Sequence, residues 1–490
     1  MSDSAFPSLP AGRSGLQDTG LRSPVPIFLL VILVIMVPIE FSLHLGSIFL
    51  TASRAYLIVL FFMILPYLGT LRLRLFDWFF IGHVAWTCVA YMLIYPLGQA
   101  IEMAGSYFLE FLVVYMAARI YLQRVEQMRA VVILLFVLAT ISAAVALPEA
   151  LTGIRFVHDL GTALTGITYR FSGEMRMGIT RAASFFEHPI LYGIFCASVF
   201  SLTWFTSTPV QRAYRAPILI GATWLSASSA PLLTLLVQIL LIGLEYVTRK
   251  IKRRDKLFAW VAGGFVLIVE TLTGRGVVGI VTMMTLNPGT AYTRRAQWNF
   301  AIDDVLRNPW FGFVPGRYTR PFWLAPSIDN WWLLIMMRSG IPSLILLALS
   351  ALFLWIAIAR REGGPVLFSQ LRTGWGLMMI AVILGAATVT FFGKLQPLFA
   401  FYMGFGAALA SCLLPQAGDA EPQVPTGRGG LVYTRFPGTL HRMSRPGRGV
   451  ADAHQALGAV TPASGIDTPS QAQAPVQGGR RIRPTLRRAP

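Results

Sequence analysis

Charge is what this chain has least of. Only 13% of its 490 residues are Asp, Glu, Lys or Arg, about half the share of an ordinary soluble domain. That scarcity excludes the two to four soluble domains that length alone suggests. Lysine is nearly missing, with 4 of the 41 positive charges, and arginine supplies the other 37. Cysteine is scarce as well. Cys88, Cys196 and Cys412 all fall inside apolar runs without CxxC spacing, which excludes a disulfide framework and a zinc site. They read as small buried hydrophobes. There is no HExxH and no histidine cluster, so neither a metal nor any other cofactor is expected.

What is there instead is apolar sequence with a positive bias: 55% hydrophobic residues and a net charge of +19. A nucleic-acid binder would spread its charge over polar surface; here it lies between apolar runs, so a lipid bilayer and not a nucleic acid is the expected partner. The runs are Ile27 to Val37, Tyr56 to Leu68, Trp78 to Ile94, Tyr107 to Ala118, Val131 to Leu147 and Ile190 to Phe205. They continue with Pro217 to Leu225, Pro231 to Val247, Leu257 to Leu272, Trp331 to Ala359, Trp375 to Phe392 and Leu398 to Leu414. The expected fold class is therefore an all-α integral membrane protein of about 12 transmembrane helices, spanning residues 27–414.

Orientation follows from Lys and Arg in the short loops. Arg72 and Arg74; Arg119, Arg124 and Arg129; Arg212 and Arg215; Arg249 to Lys256; and Arg360, Arg361 and Arg372 all fall on one side after twelve crossings. That side holds both termini and is expected to be cytoplasmic. The scheme requires residues 216–248 to cross twice, turning at Ser226 to Pro231. Residues 1–26 form a polar N-terminal segment, read as preceding an uncleaved first helix. Residues 415–490 are rich in Pro, Gly, Ala and Gln, with ten arginines against four acids. They are expected to be a disordered cytoplasmic tail, either plainly solvated or touching anionic headgroups through Arg480 to Arg488.

Two outer segments, about 148–188 and 274–330, carry arginines where the positive-inside rule predicts few. The first has Arg155, Arg170, Arg176 and Arg181; the second has Arg275, Arg294, Arg295, Arg307, Arg317 and Arg320. Guanidinium forks grip phosphate through paired hydrogen bonds, so an outward, arginine-lined surface at the membrane suits a lipid-linked diphosphate. Trp298, Trp310, Phe311, Phe313, Tyr318, Phe322, Trp323, Trp331 and Trp332 accompany these charges, as an interfacial belt, as stacking faces for sugar rings, or as both.

Three stretches then resemble a known superfamily. Thr180-Arg181-Ala182-Ala183-Ser184-Phe185-Phe186-Glu187-His188-Pro189 leads into the sixth span. Ser226-Ala227-Ser228-Ser229-Ala230 forms the turn of the expected hairpin. Arg294 to Trp298 is followed by Asn308-Pro309-Trp310-Phe311-Gly312-Phe313, Ser327-Ile328-Asp329-Asn330-Trp331-Trp332-Leu333 and Gly340-Ile341-Pro342. Together, over about residues 180–345, they resemble the motifs of the O-antigen ligase and polysaccharide polymerase (Wzy-type) superfamily. The sequence departs from its pattern in Ser184 where the motif has Gly, in Ile190 after Pro189, in a Ser-Ala turn lacking Arg, and in Asp329 where ligases have His. The Asp-Asn version is closest in style to exopolysaccharide polymerase-like members.

The resemblance implies a GT-C-like, metal-independent, inverting glycosyltransferase of the bacterial inner membrane. It would act on the periplasmic side on an undecaprenyl-diphosphate-linked oligosaccharide. The acceptor would be another glycan or lipid A-core, with other polysaccharide-assembly proteins as possible associates. A polymerase of exopolysaccharide or O-antigen repeats is the first expectation. An O-antigen ligase is the alternative, and a flippase for the same lipid is the alternative from another class. On that reading Arg181 and Arg294, then Arg295 and Arg317, bind the diphosphate. Asp329 or Glu187, then His188, supplies the base, while Asn330 and Arg338 support them. Asp329 could equally cap the tenth helix, and Arg338 could pair with Asp329 or Glu40.

Overall fold

Backbone groups surrounded by lipid have no water to bond, so long apolar runs satisfy them internally as helices. The computed structural model of the chain describes residues 22–45, 48–168, 174–249, 288–361 and 363–413. There, eleven of the twelve apolar runs are helical; the twelfth, Leu257 to Leu272, lies outside the described residues, as do Arg170, Arg275 and the tail. The helices are α1 (Val25–Met36), α2 (Ala52–Leu68), α3 (Leu75–Ile94), α4 (Leu97–Tyr107), α5 (Val114–Tyr121), α6 (Val125–Thr152) and α7 (Phe156–Thr165). They continue with α8 (Pro189–Thr206), α9 (Pro209–Leu225), α10 (Ser229–Thr248), α11 (Pro288–Arg307), α12 (Trp331–Ala359), α13 (Val366–Ala386) and α14 (Leu395–Ser411). A π-helical turn, Phe108–Val113, joins α4 to α5.

Seven of these helical stretches among the described residues are long and apolar enough to cross a bilayer: α3, α4 to α5, α6, α8, α10, α12 and α13. Three more, α1, α2 and α14, are apolar but shorter. The described residues thus form a mostly helical membrane protein with seven such helices, which does not establish the expected count of about 12. α10 leaves Leu240 and Val247 exposed, as a helix facing lipid should.

Two corrections follow from the helix ends. α9 starts at Pro209, not Pro217, because Thr208 caps it and exchanges hydrogen bonds with Gln211. α13 stops at Ala386, so residues 387–392 are loop rather than the end of a span. Two short hairpins also interrupt the all-helical expectation: β1 (Ser42–Leu45) with β2 (Ile48–Thr51), and β3 (Met175–Arg176) with β4 (Ile179–Thr180). The second turns on Met177 and Gly178, both at positive φ, the geometry of a two-residue hairpin turn.

The basic loops gather at one end of the bundle. Arg22 reaches Thr70 and the Ile120 carbonyl, Arg119 donates to Arg72 O at 2.7 Å, and Arg74 donates to Ala410 O at 3.1 Å. Arg361 donates to Cys412 O, and Arg372 to Arg361 O. From Arg124 at this end α6 runs 28 residues to Thr152, about 42 Å at 1.5 Å per residue, and carries Glu149 to the region of the candidate site. The aromatic set divides. Trp331 is buried against Phe391 and Phe399 and belongs to the core, whereas Trp310, Phe322 and Trp323 are exposed.

Candidate functional site

The first half of the site is the stretch that leads into α8. Glu149 accepts from the backbone N–H groups of Ala183 (3.0 Å) and Ser184 (2.8 Å), and Ser184 Oγ donates to Ser142 O. This fixes a bend in which Ser184 sits at φ +55°, a conformation that favours glycine. Ser184 holds this left-handed position with its extra hydrogen bond to Ser142 O. Pro189 then opens α8, and His188 caps it, its Nδ1 accepting from Ile190 N–H at 3.1 Å. Arg181, only 3% exposed, donates from Nη2 to Ser228 Oγ at 2.7 Å and from Nη1 to Glu174 Oε2 at 3.0 Å. Ser228 belongs to the turn between α9 and α10, and its hydroxyl donates onward to Ser226 O.

The second half comes from α11 and the loop that leads into α12. α11 presents Arg294, 5% exposed, whose Nε and Nη1 have no hydrogen-bond partner among the described residues. One turn on, Gln297 donates to Ser327 O (2.9 Å) and accepts from Asp329 N–H (3.0 Å). From the other side Thr390 Oγ1 donates to Ile328 O. The cap of α12 is Asn330, whose Oδ1 accepts from Leu333 N–H at 3.0 Å. Capping is thus not the task of Asp329, and its carboxylate is left to face the cavity.

These halves enclose a cavity of about 570 Å³ lined by Arg176, Arg181, His188, Ser228, Arg294 and Asp329, with Thr390 and Phe392. Four of the expected residues, Arg181, His188, Arg294 and Asp329, therefore meet in one place despite long separations in sequence. Others do not join them. Arg295 and Arg317 are outside this lining, and Arg317 is exposed on a short 3-10 turn. Glu187 opens instead into a second cavity of about 130 Å³ with Arg54, Glu110, Gly393 and Lys394. Arg338 faces Tyr91 of α3 and Tyr95 at its C-cap; Glu40, its other expected partner, bonds His158 at 2.7 Å.

Electrostatics separates the candidate bases. Burial pushes the Asp329 carboxyl above its ordinary value, with Arg294 pulling the other way. Burial, followed by the charge of Arg181, pushes His188 down to about 4, so near neutrality it is an uncharged cap acceptor and a weak base. Burial also pulls the Glu174 carboxyl up, but Arg176 and Arg181 together overcome it and hold the group below its ordinary value. The cavity thus offers three guanidinium groups to an oxyanion and one carboxylate of raised basicity.

Sequence reasoning passed over several members. In the sequence Arg176 is one of several outer arginines with nothing to single it out, and the Ser228 turn carries no chemical signal of its own. Gln297 carried no signal. Thr390 and Phe392 were hidden inside an apparent apolar run; the β-branched Thr388-Val389-Thr390 ahead of Gly393 was the available hint of a helix end. No protein-family model matches this chain, and comparison with curated proteins gives no match.

Proposed function

We propose that the protein transfers a glycan from a polyprenyl-diphosphate carrier, undecaprenyl diphosphate in a bacterial inner membrane, to a sugar hydroxyl. The leading form of that reaction is polymerisation of exopolysaccharide or O-antigen repeats. The observation that carries it is the convergence of Arg181 and Arg294 from distant segments on one cavity that also holds Asp329. The resemblance of the surrounding motifs supplies the reaction class.

In this reading the basic end of the bundle faces the cytoplasm and the cavity faces the periplasm. Arg181 and Arg294 bind the diphosphate and stabilise its charge as it leaves; each such contact is typically worth about 10²–10³ in rate. Asp329 takes the proton of the attacking hydroxyl, a contribution of roughly 10²–10⁴. The hydroxyl oxygen forms the new bond to the anomeric carbon as the bond from that carbon to the diphosphate oxygen breaks. Asn330 and Gln297 hold the backbone that carries Asp329, and Ser228 holds Arg181.

A deletion strain compared for lipopolysaccharide banding and for secreted polysaccharide tests the reaction. Loss of polymer length with intact core capping supports polymerisation. Loss of glycan from lipid A-core alone assigns ligation instead. Retention of full-length polymer of both kinds contradicts both.

A further inference from the structure

Glu174 and Arg181 stand opposite each other at the base of the β3–β4 hairpin, where Arg181 N–H donates to Glu174 O at 3.1 Å. Their side chains meet too. A single carboxylate oxygen, Glu174 Oε2, accepts from Arg181 Nη1 at 3.0 Å and from Arg176 Nη2 at 2.8 Å. Both arginines line the large cavity. Arg181 is buried, whereas the Glu174 side chain is 49% exposed.

One anionic oxygen shared by two guanidinium groups at the mouth of a cavity is the arrangement a phosphoryl oxygen adopts on paired arginines. Farther along the lining, the buried Arg294 still has two nitrogens without a partner among the described residues. We propose that Glu174 is a resident stand-in for a phosphoryl group: a diphosphate takes its place on Arg176 and Arg181 while its second phosphoryl group engages Arg294. This rests on the reading of the cavity as a diphosphate site, and adds to it Arg176 as a ligand-binding residue and a built-in competitor.

The exchange needs little rearrangement. The backbone hydrogen bond and the Met175–Thr180 pairing hold the hairpin independently of the side chain, so the carboxylate leaves by rotating into solvent. The Glu174–Arg176 pair is exposed on both sides and so weak, the Glu174 side of its pair with buried Arg181 is open to solvent, and a diphosphate brings more charge than the single carboxylate it replaces. A ligand with one negative charge gains no such advantage. Glu174 therefore keeps Arg181 oriented when the site is empty and selects for multiply charged oxyanions.

The test uses the full chain purified in detergent, with binding of inorganic diphosphate and of undecaprenyl diphosphate followed by calorimetry. Glu174→Gln should bind both probes roughly three- to tenfold tighter, and adding Arg176→Ala to that variant should remove the gain. Equal gains are expected for the two probes because Glu174 competes with the phosphoryl group and not with the lipid tail. Unchanged or weaker binding by Glu174→Gln, or a gain confined to the lipid probe, overturns the stand-in while leaving the site reading intact, provided Arg294→Ala still weakens binding. If wild type binds neither probe, or Arg181→Ala and Arg294→Ala bind as wild type does, the site reading itself fails and the stand-in with it.

Discussion

Gly312 and Gly340 sit back to back across a break in α12. A Cβ on Gly340 would lie 1.9 Å from the Trp310 carbonyl oxygen, and one on Gly312 would lie 2.3 Å from Met337 O. Both have φ near +78°. The freed backbone groups are satisfied by the partner segment, Phe313 N–H on Met337 O and Ile341 N–H on Pro309 O, while Trp86 Nε1 donates to both Trp310 O and Ser339 O. Two motifs some 30 residues apart are therefore one contact. It anchors the loop that follows α11 to the helix that follows Asp329.

Gly340→Ala and Gly312→Ala should lower thermal stability in detergent sharply. Positive φ alone costs about 1–3 kcal/mol for a residue with a side chain, and the clash with fixed backbone adds to it. Gly316→Ala, with open space at its Cβ position, should leave the melting temperature near that of wild type. Equal melting of all three variants would contradict the packing described.

Ser184 supplies a graded test of the bend before α8. Ser184→Gly relieves left-handed strain of roughly 1–2 kcal/mol and loses a hydrogen bond worth about 1 kcal/mol, so its stability should stay close to wild type. Ser184→Val loses the bond and cannot relax at positive φ, and should be destabilised by roughly 2–4 kcal/mol. A Val variant as stable as the Gly variant would mean the bend is not held this way.

The pH dependence of transfer should report Asp329. A base must be deprotonated to act, so activity falls as pH drops through its pKa. Burial raises that pKa, which places the acid-side midpoint above the ordinary value of 3.8. Arg294 opposes the rise, so Arg294→Ala should move the midpoint to still higher pH while lowering the rate. Asp329→Asn should remove the limb and cost roughly 10²–10⁴ in rate. His188→Ala should leave the midpoint in place; a limb that vanished with His188 and survived in Asp329→Asn would reverse the assignment.

Ser228 acts through Arg181. Ser228→Ala should leave the protein folded, because the turn is held by backbone bonds from Ser226 and Ala227, but reduce kcat/KM by about tenfold through a misplaced guanidinium. Ser228→Thr, which keeps the hydroxyl, should recover most of it. A Thr variant as poor as Ala would point to a packing role for the small side chain.

Much of this was legible because lipid permits few backbone solutions: apolar runs became helices, and Arg181, Arg294 and Asp329 stood out as charges beside them. The limits are equally physical. Glu187 and His188 are adjacent in sequence, yet one opens into the small cavity with Lys394 and the other into the large one, because the chain bends through residues 186–188 as it enters α8. Asp329 reads from sequence as a cap for the tenth helix, and only the register of α12 gives the cap to Asn330 instead. Residues 387–392 read as the end of a membrane helix because Val389, Phe391 and Phe392 are as apolar as a span. Their loop geometry depends on contacts such as that of Thr390 with Ile328, which no local pattern encodes.

The most direct measurement is transfer itself. Purified protein in lipid is supplied with an undecaprenyl-diphosphate-linked repeat, and both glycan length and released undecaprenyl diphosphate are followed. Wild type should lengthen the glycan and release one diphosphate carrier per bond formed. Arg181→Ala and Arg294→Ala should each lose about 10²–10³ in rate at unchanged membrane abundance. Glycans of normal length from either variant, or movement of the lipid-linked repeat across the bilayer with no carrier released, would contradict the assignment.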